Sequence, residues 1–231
     1  MASKYLAYTD YTTLGQSDTP TSVAEFVGQE IGGNPASYCV YSSLVESVGV
    51  ALGDRDVPIT AVCGGFPSSQ TFLEVKLLDV AMAIENGADE IDVVVNVGAL
   101  KEGNIELAMS EVKAIADEID GEAIFKIILE TGMLEDEQLI YDSSLAAMEA
   151  GVDFVKTSTG KEKVGATPEA VRAICRAIKA YYELTGKQIG VKVSGGVRTE
   201  EDADMYVSLI KEILGDGWMT PALLRLGRSQ I

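Results

Sequence analysis

From one end of this chain to the other, short apolar runs rich in β-branched residues alternate with amphipathic stretches of helical period. The strand candidates are residues 4–9, 37–41, 59–63, 90–95, 124–130, 154–157, 189–193 and 223–226. Between them lie helix candidates at 23–32, 43–52, 72–86, 105–118, 135–150, 168–185 and 200–214. Strands that are apolar on both faces and joined by helical crossovers imply a parallel sheet. Eight such units in 231 residues predict an α/β fold, a (β/α)8 TIM barrel with a short additional N-terminal segment, with a doubly wound open sheet as the alternative. Local marks agree. Thr167-Pro168 reads as an N-cap and first helical residue, Thr199-Glu-Glu-Asp202 as a capping box, and Gly87, Gly151 and Gly186 as helix stops. No linker, repeat or low-complexity tract interrupts the pattern, so residues 1–231 read as one domain.

Composition narrows the function classes. A formal net charge of −18 opposes nucleic acid and anionic membrane as partners. Histidine is absent, which removes the commonest general base and the commonest zinc ligand, so no transition-metal site is expected. Cys39, Cys63 and Cys175 are odd in number and set among apolar residues, as free thiols in a reducing compartment would be. The start of the chain lacks a secretory apolar stretch and no run approaches the ~18 apolar residues of a membrane span, so the expected location is cytoplasmic.

Two lysines carry the chemistry. Lys156 in Phe154-Val-Lys-Thr-Ser-Thr-Gly-Lys161 and Lys192 in Gly190-Val-Lys-Val-Ser-Gly-Gly-Val-Arg198 each end an apolar run. Lysine is seldom buried unless paired, and low dielectric disfavours its charged form. The two are 36 positions apart, about one βα repeat, so adjacent barrel strands would set them side by side, where each ammonium favours the neutral amine of the other. Spacing alone is symmetric between them. Asp92, in Glu90-Ile-Asp-Val-Val-Val95, lies in another strand, and a carboxylate there can move protons for the pair or simply stabilise it. In a barrel all three stand toward the C-terminal ends of strands, where catalytic groups gather.

Glycine-rich turns after the late strands form a candidate anion cradle: Gly160 and Lys161, Gly195 and Gly196, Gly227 and Ser229. Lys156, Lys161, Lys163, Lys192, Arg198, Arg225 and Arg228 fall in these segments, so an acidic chain concentrates positive charge where an anionic substrate would bind. Cys39 and Cys63 read as pocket lining or as small core hydrophobes.

The two lysine segments resemble the signatures of the deoxyribose-phosphate aldolase family. Asp10-Tyr-Thr-Thr-Leu14, Cys39-Val-Tyr41, Gly65-Phe-Pro67 and Glu90-Ile-Asp92 are similar to further blocks of it, in the same order. The resemblance implies a cofactor-free class I aldolase that reversibly cleaves 2-deoxy-D-ribose 5-phosphate to D-glyceraldehyde 3-phosphate and acetaldehyde. It implies Lys156 as the Schiff-base lysine, Lys192 as its activating neighbour and Asp92 in the proton relay. Asp10, Thr12, Cys39, Thr157, Gly160, Lys161, Gly195, Gly196, Gly227 and Ser229 would meet substrate, in a homodimer or homotetramer. Other Schiff-base aldolases or transaldolases, and a non-catalytic phosphometabolite-binding barrel, are the alternatives. Two departures stand out. Gly227-Arg-Ser-Gln230 replaces a Gly-x-Ser-Ser grip, which leaves either Arg228 as a substitute phosphate ligand or a weaker grip, and Cys63-Gly-Gly-Phe-Pro-Ser-Ser-Gln70 differs from Gly-Phe-Pro-x-Gly. With the chain ending at Ile231, no C-terminal tail is expected to close the barrel mouth.

Overall fold

The computed structural model describes residues 3–230; the chain end at Ile231, on which the expectation about a closing tail rests, lies outside them. Eight parallel strands close into a barrel in sequential order. In chain order the elements are β1 (Thr9–Thr12), α1 (Pro20–Val27), β2 (Ser37–Tyr41), α2 (Val45–Leu52), β3 (Ile59–Cys63), α3 (Leu73–Glu85) and β4 (Glu90–Val94). They continue with α4 (Val97–Lys101), α5 (Ile105–Ile119), β5 (Ile124–Ile128), α6 (Thr131–Leu134), α7 (Glu137–Ala150), β6 (Phe154–Lys156), α8 (Pro168–Thr185), β7 (Gly190–Ser194), α9 (Glu200–Leu214) and β8 (Leu224–Arg228). Closure removes every sheet edge, and β1 pairs with β8 through Thr9↔Leu226 and Asp10↔Gly227.

The first strand is the clearest correction. Tyr5, Leu6 and Tyr8 suggest a strand at 4–9, but Leu6–Tyr8 turn as a 3-10 helix and pairing starts at Thr9. Thr9-Asp-Tyr-Thr12 looks like a polar turn because the side chain that β1 sends inward, Asp10, is charged. The 3-10 turn at Leu6–Tyr8 supplies the short segment ahead of the barrel. Helix ends follow their local chemistry: Thr167 caps α8, Thr199 and Asp202 form the reciprocal box of α9, and Gly151 and Gly186 end α7 and α8 in left-handed conformation.

The strands bury two different faces. Outward residues such as Ile91, Val93, Phe125, Ile127, Val155, Val191 and Val193 meet the helices in the main apolar core, each 1 % exposed or less. At about 25 cal/mol per Å², this shell supplies most of the stabilisation. The barrel interior, by contrast, is filled largely with charge. Asp10, Glu90, Asp92, Lys126 and Lys192 are all 0–1 % exposed. Barrel interiors of this kind usually carry branched apolar residues, so these charges need mutual pairing to survive there.

Candidate active site

Parallel register sets the key side chains at neighbouring heights: Asp92 pairs with Lys126, and Lys156 with Lys192. Inside, six charges alternate in a ring. Arg225 Nη1 meets Asp10 Oδ1 at 2.6 Å, Asp10 Oδ2 meets Lys192 Nζ at 2.5 Å, and Lys192 Nζ meets Asp92 Oδ2 at 2.7 Å. Asp92 Oδ1 meets Lys126 Nζ at 3.0 Å, Lys126 meets Glu90 Oε2 at 2.5 Å, and Glu90 Oε1 returns to Arg225 Nη2 at 2.7 Å. Thr60 donates to Glu90 Oε2 at 2.8 Å, so the polar lining continues toward β3.

Three carboxylates and three bases make this ring electrically complete. Lys156 hangs outside it, with Asp92 Oδ2 at 2.6 Å as its carboxylate partner. That asymmetry decides which lysine gives up its proton more readily. Burial works against charge on both, but Asp10 and Asp92 together outweigh it at Lys192 and push its pKa up. At Lys156 burial, aided by the Lys192 ammonium, outweighs Asp92, and the pKa falls. Burial would raise Asp92; the ammonium groups of Lys126, Lys156 and Lys192 hold it well below the usual carboxylate range. Asp92 therefore stays ionised in the resting site, where it accepts hydrogen bonds rather than storing a proton.

Above the ring opens a cleft of about 240 Å³. Its wall includes Thr12, Lys156 and Lys192 and gathers all three glycine turns: Gly160 with Lys161, Gly195 with Gly196, and Gly227 with Ser229. Lys161 reaches across the mouth to the Leu14 carbonyl at 2.5 Å, and Arg198 joins the rim. The turns depend on backbone contact. A Cβ on Gly165 would stand 2.0 Å from the Gly195 carbonyl oxygen, so only glycine lets the segment after β6 rest on the turn after β7. On the opposite side Leu14, Cys39 and Val62, with Tyr41 and Phe66, form a small apolar cluster.

Several sequence-predicted residues stand off the cleft. Asp10 lies beneath it, bound to Lys192 and Arg225. Cys39 is buried in the apolar cluster, and burial raises its thiol pKa. The Thr157 hydroxyl donates to the Ser194 carbonyl and accepts the Ser194 N–H, both at 3.0 Å, so it ties β6 to β7. Arg228, the outward neighbour of Gly227, also lines the cleft, but its guanidinium is engaged by Glu200 and Ser3 at 3.0 Å. Arg225 likewise serves the ring, not an anion. Sequence reasoning missed Lys126, Glu90 as a partner, and Arg225's place. Their signal was a lone charge inside an apolar strand, as in Ile124-Phe-Lys-Ile-Ile128. Among the described residues no cluster of three or more carboxylates or cysteines is placed to hold a metal ion, and no helix is long and apolar enough to cross a membrane.

The model of the DeoC/LacD family aldolases matches residues 5–217. The chain belongs to the DeoC/LacD aldolase family. Within that family it is 37% identical to the deoxyribose-phosphate aldolase of Mus musculus and 36% identical to that of Homo sapiens, in each case over 99% of this chain and 77% of the relative. Among solved aldolases it superposes on the tetrameric deoxyribose phosphate aldolase of Aeropyrum pernix with a TM-score of 0.77 at 27% identity, covering 97% of this chain and 86% of that one. A solved aldolase designated QR15 gives a TM-score of 0.79 at 30% identity, with 98% and 91% covered.

Proposed function

We propose that this DeoC/LacD aldolase reversibly cleaves 2-deoxy-D-ribose 5-phosphate to D-glyceraldehyde 3-phosphate and acetaldehyde, with Lys156 as the Schiff-base nucleophile. The observation that carries the assignment is the closed six-charge ring, which is neutral without Lys156 and leaves that amine at the cleft as the one favoured to lose its proton. The curated relatives named above support the substrate.

The neutral amine attacks the C1 aldehyde and forms a carbinolamine, which loses water to give an iminium. As the C3 hydroxyl gives up its proton, the C2–C3 bond breaks and its electrons pass to the iminium, leaving an acetaldehyde enamine and free glyceraldehyde 3-phosphate. Protonation at C2 and hydrolysis release acetaldehyde and restore Lys156. Lys192 and Lys156 share Asp92 Oδ2 as acceptor, which gives protons a short path between the two nitrogens. The fixed charge of Asp92 stabilises the developing iminium, and the apolar cluster of Leu14, Cys39 and Val62 suits the methyl end of the donor. Gly160, Lys161, Gly195, Gly196 and Ser229, with Arg198, are assigned to the phosphate. We place the enzyme in the cytoplasm, in carbohydrate degradation, as a homodimer or homotetramer. The exposed apolar row Phe72, Val75, Leu78 and Met82 on and beside α3 supports assembly.

Retro-aldol turnover on 2-deoxyribose 5-phosphate and on unphosphorylated 2-deoxyribose tests the reading. Lys161→Met is expected to raise KM for the phosphorylated substrate about tenfold and to leave the unphosphorylated one nearly unchanged. Equal losses on both would remove the phosphate assignment, and no cleavage of either by the parent would remove the function.

A further inference from the structure

Among the described residues, one buried carboxyl lies outside both the ring and the reaction scheme. Glu130 follows β5 in left-handed backbone conformation, at φ 53°. A glutamate enters that region rarely, and stays there where its surroundings hold it. Here the turn after β6 holds it. Both carboxyl oxygens lie 3.3 Å from the Thr159 N–H, and the Thr159 hydroxyl meets Oε2 at 2.5 Å. That hydroxyl also accepts the Lys161 N–H at 3.0 Å. Glu130 is 2 % exposed, and among the described residues it joins no ion pair.

Burial raises the pKa of Glu130, and its Thr159 contacts lower it. Of the charged groups near it, Glu162 in the turn after β6 adds to the rise and Lys156 on β6 opposes it. Thr159, Gly160 and Lys161 line the cleft. The carboxyl therefore sits directly behind the groups assigned to the phosphate. A carboxylate there and a dianion in front repel through poorly screened protein, whereas a neutral carboxylic acid does not.

We infer that Glu130 is a proton-linked positioning residue: it holds the Thr159–Lys161 turn in place and takes up a proton when a phosphoryl dianion occupies the cleft. The inference rests on the phosphate reading of that cleft. Linkage is reciprocal, so protonation of Glu130 strengthens anion binding, and affinity falls as pH rises through its titration.

Inorganic sulfate is the probe, because it keeps both charges throughout the range used and leaves any pH dependence to the protein. Calorimetric titration of the full chain from about pH 5.5 to 8.5, in two buffers of different ionisation enthalpy, counts the protons taken up. The parent is expected to take up protons and to lose sulfate affinity by up to about tenfold per pH unit. Glu130→Gln keeps an acceptor for Thr159 and is expected to flatten that slope. A slope unchanged in Glu130→Gln, whether binding is tight or weak, assigns the proton elsewhere, Lys156 included, and overturns the inference. A parent that binds no sulfate at any pH overturns the phosphate reading itself, a separate result. Should Glu130→Gln not fold, Thr159→Val removes a contact that lowers the Glu130 pKa. The affinity loss should then move to higher pH, and an unmoved profile counts against the proposal.

Discussion

Substituting Lys192 by methionine removes one positive charge from the ring while roughly keeping the side chain's volume. Lys192 and Lys156 donate to the same Asp92 oxygen at 2.7 and 2.6 Å, so their nitrogens lie no more than about 5.3 Å apart. Two unit charges at that separation repel by roughly 3 kcal/mol at an effective dielectric of ~20. At ~1.4 kcal/mol per factor of ten, that is about a hundredfold in the ratio of neutral to charged Lys156 amine. Burial of Lys156 persists in the variant, so only this share is lost. Asp10 keeps Arg225 at 2.6 Å, which leaves no carboxylate of the ring without a partner. The assay is the rate of acetaldehyde adduct formation against pH, read by borohydride trapping. Lys192→Met is expected to be about a hundredfold slower near pH 7, recovering as pH rises. Lys192→Arg keeps the charge and should retain the parental profile. A Lys192→Met profile with lower amplitude but no shift along the pH axis would refute the electrostatic reasoning.

Acid stability follows from the ring carboxylates. Asp10 and Asp92 are both held below the ordinary range in the fold, against burial, by their cationic partners. Their stabilisation is full above the unfolded pKa of ~3.9 and is lost as pH falls from there toward the folded values. Urea unfolding should show the midpoint dropping below about pH 4, and Asp92→Asn should cost about 3–5 kcal/mol at pH 7 while shallowing the acid limb. An acid limb identical to the parent's would mean that Asp92 is not its source. Gly165→Ala puts a methyl 2.0 Å from the Gly195 oxygen, so KM for the phosphorylated substrate should rise at least about tenfold, which steady-state kinetics would show. With a net charge of −18, added KCl should raise Tm by screening self-repulsion and also raise KM for the sugar phosphate by screening the cleft; opposite or absent trends would contradict this charge distribution.

Much of this architecture was legible because each layer leaves its own pattern. Outward strand residues are apolar and crossovers carry helical period, so β2 and β3 match their expected bounds and β4 to β8 shift by only a few residues. β1 was illegible for a physical reason: its inward residue serves the ring, not an apolar core, and the aromatic residues ahead of it mimic a strand. The same cause hid part of the site. Lys156 and Lys192 announce themselves by the glycine turns that follow them, whereas no such turn follows Lys126, and the partners of Arg225, Asp10 and Glu90, lie 215 and 135 positions away. Sequence spacing could make Lys156 and Lys192 neighbours but not unequal. Their inequality comes from Asp10, which lies on β1 and reaches Lys192 rather than Lys156. Thr157 shows what sequence alone does not carry: it stands within a signature segment, and its hydroxyl ties β6 to β7.

The central claim is that Lys156 is the nucleophile because the ring is complete without it. Incubation with acetaldehyde and sodium borohydride at neutral pH, followed by peptide mass mapping, tests this most directly. The account predicts a single reduced two-carbon adduct on Lys156, with Lys192 and Lys126 unmodified. An adduct on Lys192, or none on Lys156, would contradict it.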